Sequence, residues 1–474
     1  MTISFLRALL QAVQRSRLAA LGAALACFCA APAALAAPAI AHWTQPSGAQ
    51  IWFATSPAVP ILDVELDFDA GSRRDPADKA GLAAVTALMS QKGVLARGGE
   101  PALDENQLGE AWADLGASFD AGAGLDRTTF RLRTLTQDDL LEKAVHLAAR
   151  QIGEPSWPQD VWQREREQLS AAIEDALTRP GPVARRAYEQ AVYGTHPYGE
   201  QVTPETLTHI SVADMRARYA EMIRPCRAKV SVVGAITEAE ADTIAAELLS
   251  HLPKSSGCAA LPAVPEVQPL AAAREIRIPF QSAQAHILMG QPGYKRSDPD
   301  FFALLVGNHI LGDGGFASIL TNEVREKRGL SYSVYSDFSP GLDAGAFTVG
   351  LQTRPDQVDD ALRVARDVVA RFVADGPTAA QLKAAKENLI GSFPLRLDSN
   401  SKLLGNVANI AWNGLPLDYL EHWTDRIGAV TAPEVKGAFQ RVLQPDRMVT
   451  VIVGARGPAA GAPTPVAPAG AATE

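Results

Sequence analysis

Two side chains with suitable chemistry for binding an oxygen atom, Arg325 and Tyr332, lie seven positions apart in the sequence. Between them stands Gly329, a residue type common at helix ends, so we expect a charged helix to end there and a strand to follow over 332–336. A guanidinium and a phenol on either side of such a junction are able to converge on one carbonyl or carboxylate oxygen. The alternative is a surface arginine beside a tyrosine packed in the core.

The histidines are spaced too widely to predict a metal-binding helix. Such a helix needs two imidazoles on one face, about one helical turn apart. No two of the eight histidines are that close in the sequence. They are His42, His146, His196, His209, His251, His286, His309 and His422. The sequence therefore predicts no metal in this chain.

Composition indicates a soluble protein with more than one domain. The chain has 474 residues, and 47% of them are hydrophobic, which is enough for two or more full cores. Its formal net charge of −9 argues against a nucleic-acid surface, because such a surface needs clustered lysine and arginine. We expect no nucleic-acid partner.

Residues 1–36 predict a secretory signal peptide, because they combine early arginines with an apolar run and end in a small-x-small pattern. A transmembrane anchor is the alternative, since the apolar run is close to spanning length. We expect cleavage, with the mature protein periplasmic or secreted by a bacterium and not stably inserted in a membrane.

Two cysteines, Cys226 and Cys258, remain after the predicted leader is removed. In an oxidising compartment they are able to form a disulfide between the end of one domain and the linker that follows it. Two free, buried thiols agree equally well with the sequence.

An internal duplication organises the chain, since the segment 210–234 recurs as 430–454. The offset is 220 residues, so that Pro225 aligns with Pro445. Each copy predicts a capped helix, a proline turn and a β-branched strand that ends in glycine. The predicted capping boxes are Ser211 with Asp214 and Thr431 with Glu434. We therefore expect two domains of similar fold.

The fold class predicted from these patterns is α+β, with an antiparallel sheet and helices packed on one face in each domain. Helical patterns over 160–177 and 357–375 alternate with strand patterns over 61–68, 128–135 and 347–352. The glycines of 312–315 lack the spacing of a phosphate loop, so we expect a turn there. The expected divisions are a signal peptide (1–36), a first domain (37–253), a linker (254–272), a second domain (273–456) and a disordered tail (457–474).

Several motifs resemble those of the pitrilysin/insulinase family of zinc peptidases, the inverzincins, which include proteins similar to the mitochondrial processing peptidase. In the second half the resemblance rests on 308–320 and 324–335, and in the first half on 194–199 and 210–234. It implies two homologous α+β domains and peptide substrates.

Catalytic members of that family carry His-x-x-Glu-His on an early helix, where the two histidines bind zinc and the glutamate is the general base. The matching positions here, on a helix expected over 79–93, are Ala83, Thr86 and Ala87. A methyl group donates no electron pair to zinc, and a threonine hydroxyl is too weak a base to replace a carboxylate. Glu174 matches the third-ligand position at an unusually long spacing, and a solvated helix acid is the favoured alternative.

Arg325 and Tyr332 match the family's Arg-x6-Tyr pair residue for residue. In relatives this pair faces the scissile bond from the half opposite the zinc, which implies a role in stabilising the oxyanion. The resemblance also suggests that an edge strand holds extended peptide by β-addition. The candidate strand consists of Ser118, Phe119, Asp120, Ala121 and Gly122.

Together these features predict a secreted, zinc-less subunit of a heterodimeric metallopeptidase. A homologous partner chain would supply zinc and the base, and this chain would supply Arg325 and Tyr332. Alone, it would be inactive. One alternative is a non-enzymatic scaffold or peptide-binding subunit of the same fold. A self-sufficient peptidase with unconventional ligands is a third hypothesis, and the spacing of the histidines disfavours it.

Overall fold

The computed structural model describes residues 38–253 and 257–454. The predicted signal peptide and the predicted tail over 457–474 lie outside the described residues, as does the start of the predicted linker. Residues 257–272 of that linker form no helix or strand. None of the described helices is both long and apolar enough to cross a membrane.

The first half of the chain is built on a six-stranded sheet with the order β1-β2-β8-β3-β7-β6. Its neighbouring strands are antiparallel except for β2 and β8, which are parallel. The strands of this half, including the short pair β4 and β5, are β1 (Ala41–Thr44), β2 (Gln50–Thr55), β3 (Ile61–Phe68), β4 (Gly93–Val94), β5 (Leu103–Asp104), β6 (Ser118–Ala123), β7 (Thr128–Leu135) and β8 (Lys229–Gly234). Its helices are α1 (Leu82–Met89), α2 (Glu105–Asp114), α3 (Asp138–Gly153), α4 (Gln159–Ala176), α5 (Pro180–Tyr193), α6 (Pro204–Thr208), α7 (Val212–Met222) and α8 (Glu238–Leu248).

The second half is built on a five-stranded sheet with the order β11-β12-β10-β13-β9, in which β13 and β9 are parallel. Its strands are β9 (Arg274–Ile278), β10 (Ala285–Pro292), β11 (Val334–Phe338), β12 (Ala346–Thr353) and β13 (Val449–Val453). Its α-helices are α9 (Phe301–Asn308), α10 (Val358–Asp375), α11 (Ala379–Ser392), α12 (Asn400–Asn413), α13 (Trp423–Ala429) and α14 (Ala432–Val442). Wider π-helical turns follow α9, at His309–Asp313 and Thr321–Glu326.

The two sheets share one topology. The run β2-β8-β3-β7-β6 in the first half corresponds to β9-β13-β10-β12-β11 in the second half. Both predicted capping boxes form, at the N-termini of α7 and α14. The predicted α+β fold with two similar sheets is confirmed, and each sheet contains one parallel pair in addition to its antiparallel pairs. The domain boundaries stay a prediction.

Strand β3 shows why one face of the first sheet forms the main core. Its even-numbered residues, among them Leu62 and Val64, are fully buried in a large apolar cluster. Its odd-numbered residues Asp63, Glu65 and Asp67 lie on the opposite face and are buried too. Burial raises the pKa of Asp67 to about 7, although Arg127 contacts its carboxylate at 2.6 Å.

Helix α12 of the second half covers this polar face of the first sheet. The Lys229 ammonium on β8 donates to the carbonyl oxygens of Ala411 and Trp412 at the end of α12, at 2.7 and 3.1 Å. At the other end of the helix, the Ser56 hydroxyl donates to Asn400 at 2.7 Å. The C-terminal carbonyls of a helix have no partner within it, and the half-buried Lys229 satisfies two of them here.

Helix α5 of the first half packs in the same way on the second sheet. Its buried residues Ala184, Tyr188 and Val192 form an apolar cluster with β13. The Tyr188 hydroxyl donates to the carbonyl oxygen of Phe347 on β12, at 2.8 Å. Helices α5 and α12 begin at 180 and 400, at the 220-residue offset of the sequence duplication. The two halves have therefore exchanged equivalent helices.

Cys226 and Cys258 form a disulfide, which decides between the two alternatives left open by the sequence. Cys226 lies in the turn before β8, and Cys258 lies in the extended segment that leads to the second half. The bridge closes a loop of the chain, with a sequence separation of 32 between its cysteines.

Candidate functional site

The segment that carries Arg325 is less regular than the predicted charged helix. It forms a π-helical turn over Thr321–Glu326 and ends at Gly329, whose φ of +60° fits the predicted helix stop. Glu323 pairs with Lys327 and Arg328 on the outer side, at 2.7 Å each. That acid is therefore engaged by the neighbouring cations rather than by Arg325.

The strand that follows begins at Val334, two residues later than predicted. Side-chain hydrogen bonds explain the delay, because the Ser331 hydroxyl lies 2.6 Å from the carbonyl oxygens of both Ser333 and Gln352. Tyr332 is thereby left outside the ladder, and its side chain points into solvent with 79% of the residue exposed. The alternative of a tyrosine packed in the core does not hold.

Arg325 and Tyr332 come together across the glycine turn. The guanidinium carbon of Arg325 lies 4.7 Å from the ring centroid of Tyr332 and 4.8 Å from that of Phe316. Both distances fit cation–π contacts. The Arg325 Nε also lies 3.4 Å from a carboxylate oxygen of Glu326. The result is an exposed cluster of one cation between two aromatic rings.

Sequence reasoning missed Phe316, which is 72% exposed. A large apolar residue directly after the glycines of 312–315 was the available clue, because connecting segments run over the surface. Packing does not account for two exposed rings beside one arginine, and exposed apolar groups that cluster mark sites of interaction.

A cavity of about 530 Å³ lies beside this segment, between α5 and the second sheet. Ser333 and Tyr335, which follow Tyr332 in the chain, line one side of it, and Arg185 and Arg186 of α5 line another. Its lining mixes polar and apolar groups, as expected for a surface that binds peptide.

Helix α1 carries the three positions at which the family resemblance places zinc ligands and base. Ala83, Thr86 and Ala87 are all buried there, at 1%, 5% and 1% exposure. The Thr86 hydroxyl donates to the carbonyl oxygen of Leu82, at 2.6 Å, so it is occupied within the helix. The helix spans Leu82–Met89 and is shorter than the predicted 79–93. These side chains do not fit a zinc ion, because they offer no nitrogen, sulfur or carboxylate donor.

The buried carboxylate of Asp75 holds the N-terminus of α1. It accepts hydrogen bonds from the backbone N–H groups of Gly81 and Ala83, both at 3.1 Å, and pairs with Arg218 at 3.1 Å. Burial raises the pKa of Asp75 to about 6, and this outweighs the opposing effect of Arg218. Gly81 has a φ of +102°, a conformation that few other residues adopt without strain.

Glu174 lies exposed near the C-terminal end of α4, as the alternative of a solvated helix acid describes. The buried acid of that helix is Glu165, which sequence reasoning missed. Its carboxylate contacts Lys92 at 2.9 Å and Arg164 at 2.8 Å. Burial alone would raise the pKa of Glu165, but the hydrogen bonds from Arg164 and Lys92 lower it. Glu165 is thus engaged in ion pairs.

The candidate peptide-binding strand is an edge strand, as predicted, since β6 ends the first sheet beside β7. Ser118, Asp120 and Gly122 are exposed, Phe119 is half-buried and Ala121 is buried. The Gln91 amide, just after α1, donates to the carbonyl oxygen of Ala121 at 2.9 Å. In the second half the equivalent edge strand is β11, which follows Tyr332. Peptide binding by β6 stays a prediction.

Two family profiles match the chain. The profile described as insulinase, peptidase family M16, matches residues 52–205, and the profile described as the peptidase M16 inactive domain matches residues 209–389. Among named proteins, an "Uncharacterized zinc protease" of Streptomyces coelicolor is 27% identical over 84% of this chain and 86% of that protein. A "Non-peptidase homolog" of Helicobacter pylori is 24% identical over 72% of this chain and 83% of that protein.

Solved structures show the same architecture. A protease from Helicobacter pylori superimposes with a TM-score of 0.76 at 17% identity, over 88% of this chain and 99% of that chain, which shows the shared fold. A structure described as a peptidase M16 inactive domain, from Pseudomonas fluorescens, has a TM-score of 0.82 at 33% identity, over 88% of this chain and 99% of that chain. The chain belongs to the insulinase family, peptidase family M16, as a relative without the zinc-binding motif.

Proposed function

We propose that this chain is the zinc-less subunit of a heterodimeric M16 peptidase that acts on peptides. A homologous partner with an intact His-x-x-Glu-His helix supplies the zinc and the base. This chain contributes Arg325 and Tyr332, whose donors stabilise the negative charge that develops on the carbonyl oxygen under attack.

The exposed cluster of Arg325, Tyr332 and Phe316 is the observation that carries the proposal. Tyr332 is 79% exposed and Phe316 is 72% exposed, and clustered exposed rings mark a site of interaction, here with an arginine placed to meet an oxygen of the bound peptide. The buried alanines on α1 support the need for a second chain, because this chain lacks the ligands for a catalytic zinc ion at that position. The relative named a non-peptidase homolog is consistent with such a role.

A scaffold or peptide-binding subunit is the second candidate. The edge position of β6 favours it, because backbone pairing with a peptide needs no particular side chain. In that case, Arg325 and Tyr332 would contribute to binding at most.

Export to the periplasm or beyond is part of the proposal. The predicted signal peptide supports it, and so does the disulfide between Cys226 and Cys258, since disulfides persist in oxidising compartments.

The test is reconstitution with a zinc-bearing M16 chain, to be sought first among the genes next to this one in the source genome. We expect the isolated chain to cleave no fluorogenic peptide and the mixture to be more active than the partner alone. Arg325→Ala should abolish most of the gain while the two chains still co-elute in size-exclusion chromatography.

Arg328→Ala is the matched control, because Arg328 is a nearby arginine engaged by Glu323 on the outer side. It should keep the gain in activity. Equal activity of the Arg325→Ala and wild-type mixtures would refute the split site and leave the scaffold role. Chelator-sensitive cleavage by the isolated chain would refute both.

A further inference from the structure

Two histidines that are far apart in the sequence meet in the first half of the molecule. His146 lies on α3, and His251 lies three residues beyond the end of α8. With Glu247 of α8 they form a group whose ligand atoms, one per residue, all lie within 4.8 Å of one another. Imidazole nitrogen and carboxylate oxygen are the donors that zinc accepts outside thiolate sites.

One nitrogen of each imidazole is already held by a carboxylate. The Nε2 atom of His146 lies 2.7 Å from Glu100, and the Nδ1 atom of His251 lies 2.5 Å from Glu154. Metal-binding histidines show this arrangement, because a carboxylate on one ring nitrogen fixes the tautomer and makes the other nitrogen a better donor. The other nitrogen of His146, Nδ1, lies 3.6 Å from a carboxylate oxygen of Glu247.

The two supporting carboxylates are themselves fixed. Arg150 contacts Glu100 at 2.7 Å, and Arg97 contacts Glu154 at 3.1 Å. The Glu154 side chain is only 4% exposed. The Glu100 side chain is 43% exposed and depends on Arg150 for its position. The imidazole of His251 is therefore held more firmly than that of His146.

A cation is able to reach this group from solvent. His146 and Glu247 line an open groove of about 900 Å³ between α3 and α8, and their side chains are 42% and 44% exposed. The described residues that line the groove include four acids and no lysine or arginine. The acids are Asp138, Glu142, Glu240 and Glu247. Their charge attracts cations to the groove.

We propose that His146, Glu247 and His251 bind one divalent transition-metal ion, zinc above all, with water completing the coordination. Two imidazoles and one carboxylate suit zinc better than calcium or magnesium, which prefer oxygen ligands alone. The ion would join α3 to the end of α8. This inference revises the expectation from the sequence that the chain holds no metal. It is compatible with the proposed function, in which this chain lacks only the catalytic zinc ion of α1, because none of its residues lies on α1 or near Arg325.

The test is calorimetric titration of the full chain, without a histidine tag and stripped by chelator, with zinc chloride. We expect one zinc ion per chain. Cobalt should bind at the same place and give the visible absorption bands of a low-coordinate nitrogen and oxygen site. His146→Ala and His251→Ala should remove saturable binding. Glu100→Gln should weaken binding by about 10–100-fold, as loss of a supporting carboxylate typically does.

His422→Ala is the matched control, since His422 lies near two carboxylates, of Asp418 and Asp425, without a second imidazole. It should bind zinc like the wild type. Circular dichroism checks the fold of each variant. If a histidine variant fails to fold, Glu247→Gln tests the site instead, because it changes only a partly exposed side chain. Absence of saturable binding in the wild type, or undiminished binding in the His146→Ala, His251→Ala and Glu247→Gln variants, would overturn the site.

Discussion

The two halves share a strand order but differ in the exposure of the positions that the family resemblance assigns to function. On α1 of the first half, Ala83 and Ala87 are 1% exposed and have become part of the packing. In the second half, Arg325 lies between two exposed rings that contribute nothing to a core. In the same fold, the positions on α1 are thus inaccessible to solvent, whereas the rings beside Arg325 are accessible. Burial therefore separates positions that belong to a core from positions that stay accessible to a ligand.

The largest effect is expected from restoring the His-x-x-Glu-His motif on α1. Ala83→His, Thr86→Glu and Ala87→His together place two large rings and a carboxylate in filled space. We expect the free energy of unfolding to fall by at least about 4 kcal/mol, from overpacking and a buried charge. Chemical denaturation measures the loss, and at most weak zinc binding at this position should accompany it.

Ala172→His, at an exposed position on α4, is the control and should cost little. A stable triple variant that binds zinc tightly through α1 and cleaves peptide would mean that three side chains alone separate this chain from an active peptidase.

The second prediction concerns the open half. Tyr332→Phe removes one hydroxyl from an exposed ring, so the fold should be unaffected. In the reconstituted complex we expect turnover to fall about 10²–10³-fold, the usual loss for one oxyanion donor. Tyr335→Phe, at a half-exposed tyrosine of β11 that lines the neighbouring cavity, should leave kcat near that of the wild type and change KM at most. A rise in KM with unchanged kcat would instead assign Tyr332 to substrate binding.

The smallest expected effect concerns the acid that holds α1. The pKa of Asp75 is raised to about 6 by burial, from an ordinary value of 3.8. The folded state therefore binds more protons between these values, and the stability due to this group, complete below about pH 4, is lost as the pH rises to about 6. The loss amounts to about 3 kcal/mol.

Asp75→Asn should make the fall in stability with pH less steep and leave the part due to Asp67, whose pKa is also raised. Urea unfolding at pH 4, 5, 6 and 7 would measure the difference. The exposed Asp78→Asn variant should keep the slope of the wild type. An unchanged slope in Asp75→Asn would show that other groups set it.

Local patterns predicted much of the fold. The strands at 61–68 and 128–135 have the predicted bounds, because their alternation and β-branched content act locally. Both capping boxes formed for the same reason. The start of β11 was misplaced, since it depends on hydrogen bonds from Ser331 to a distant strand.

Contacts between distant segments could not be predicted. His146 and His251 are far apart in the sequence, and no periodicity connects them. Arg325 and Tyr332 were found because one turn links them, whereas the third member, Phe316, reaches them only through the folded loop. The exchange of α5 and α12 could not be predicted from the sequence either, because the amphipathic pattern of a helix does not determine which sheet the helix packs on.

That exchange makes the duplicated chain an intramolecular domain swap. In such a swap each unit is completed by an element from the other. A fragment cut at the linker would leave Tyr188 without the sheet it packs on and Lys229 without the carbonyl groups it satisfies. Neither half should therefore fold when expressed alone, whereas the two halves produced together should reassemble. On this expectation, the two similar halves of the chain are obligate partners within one polypeptide.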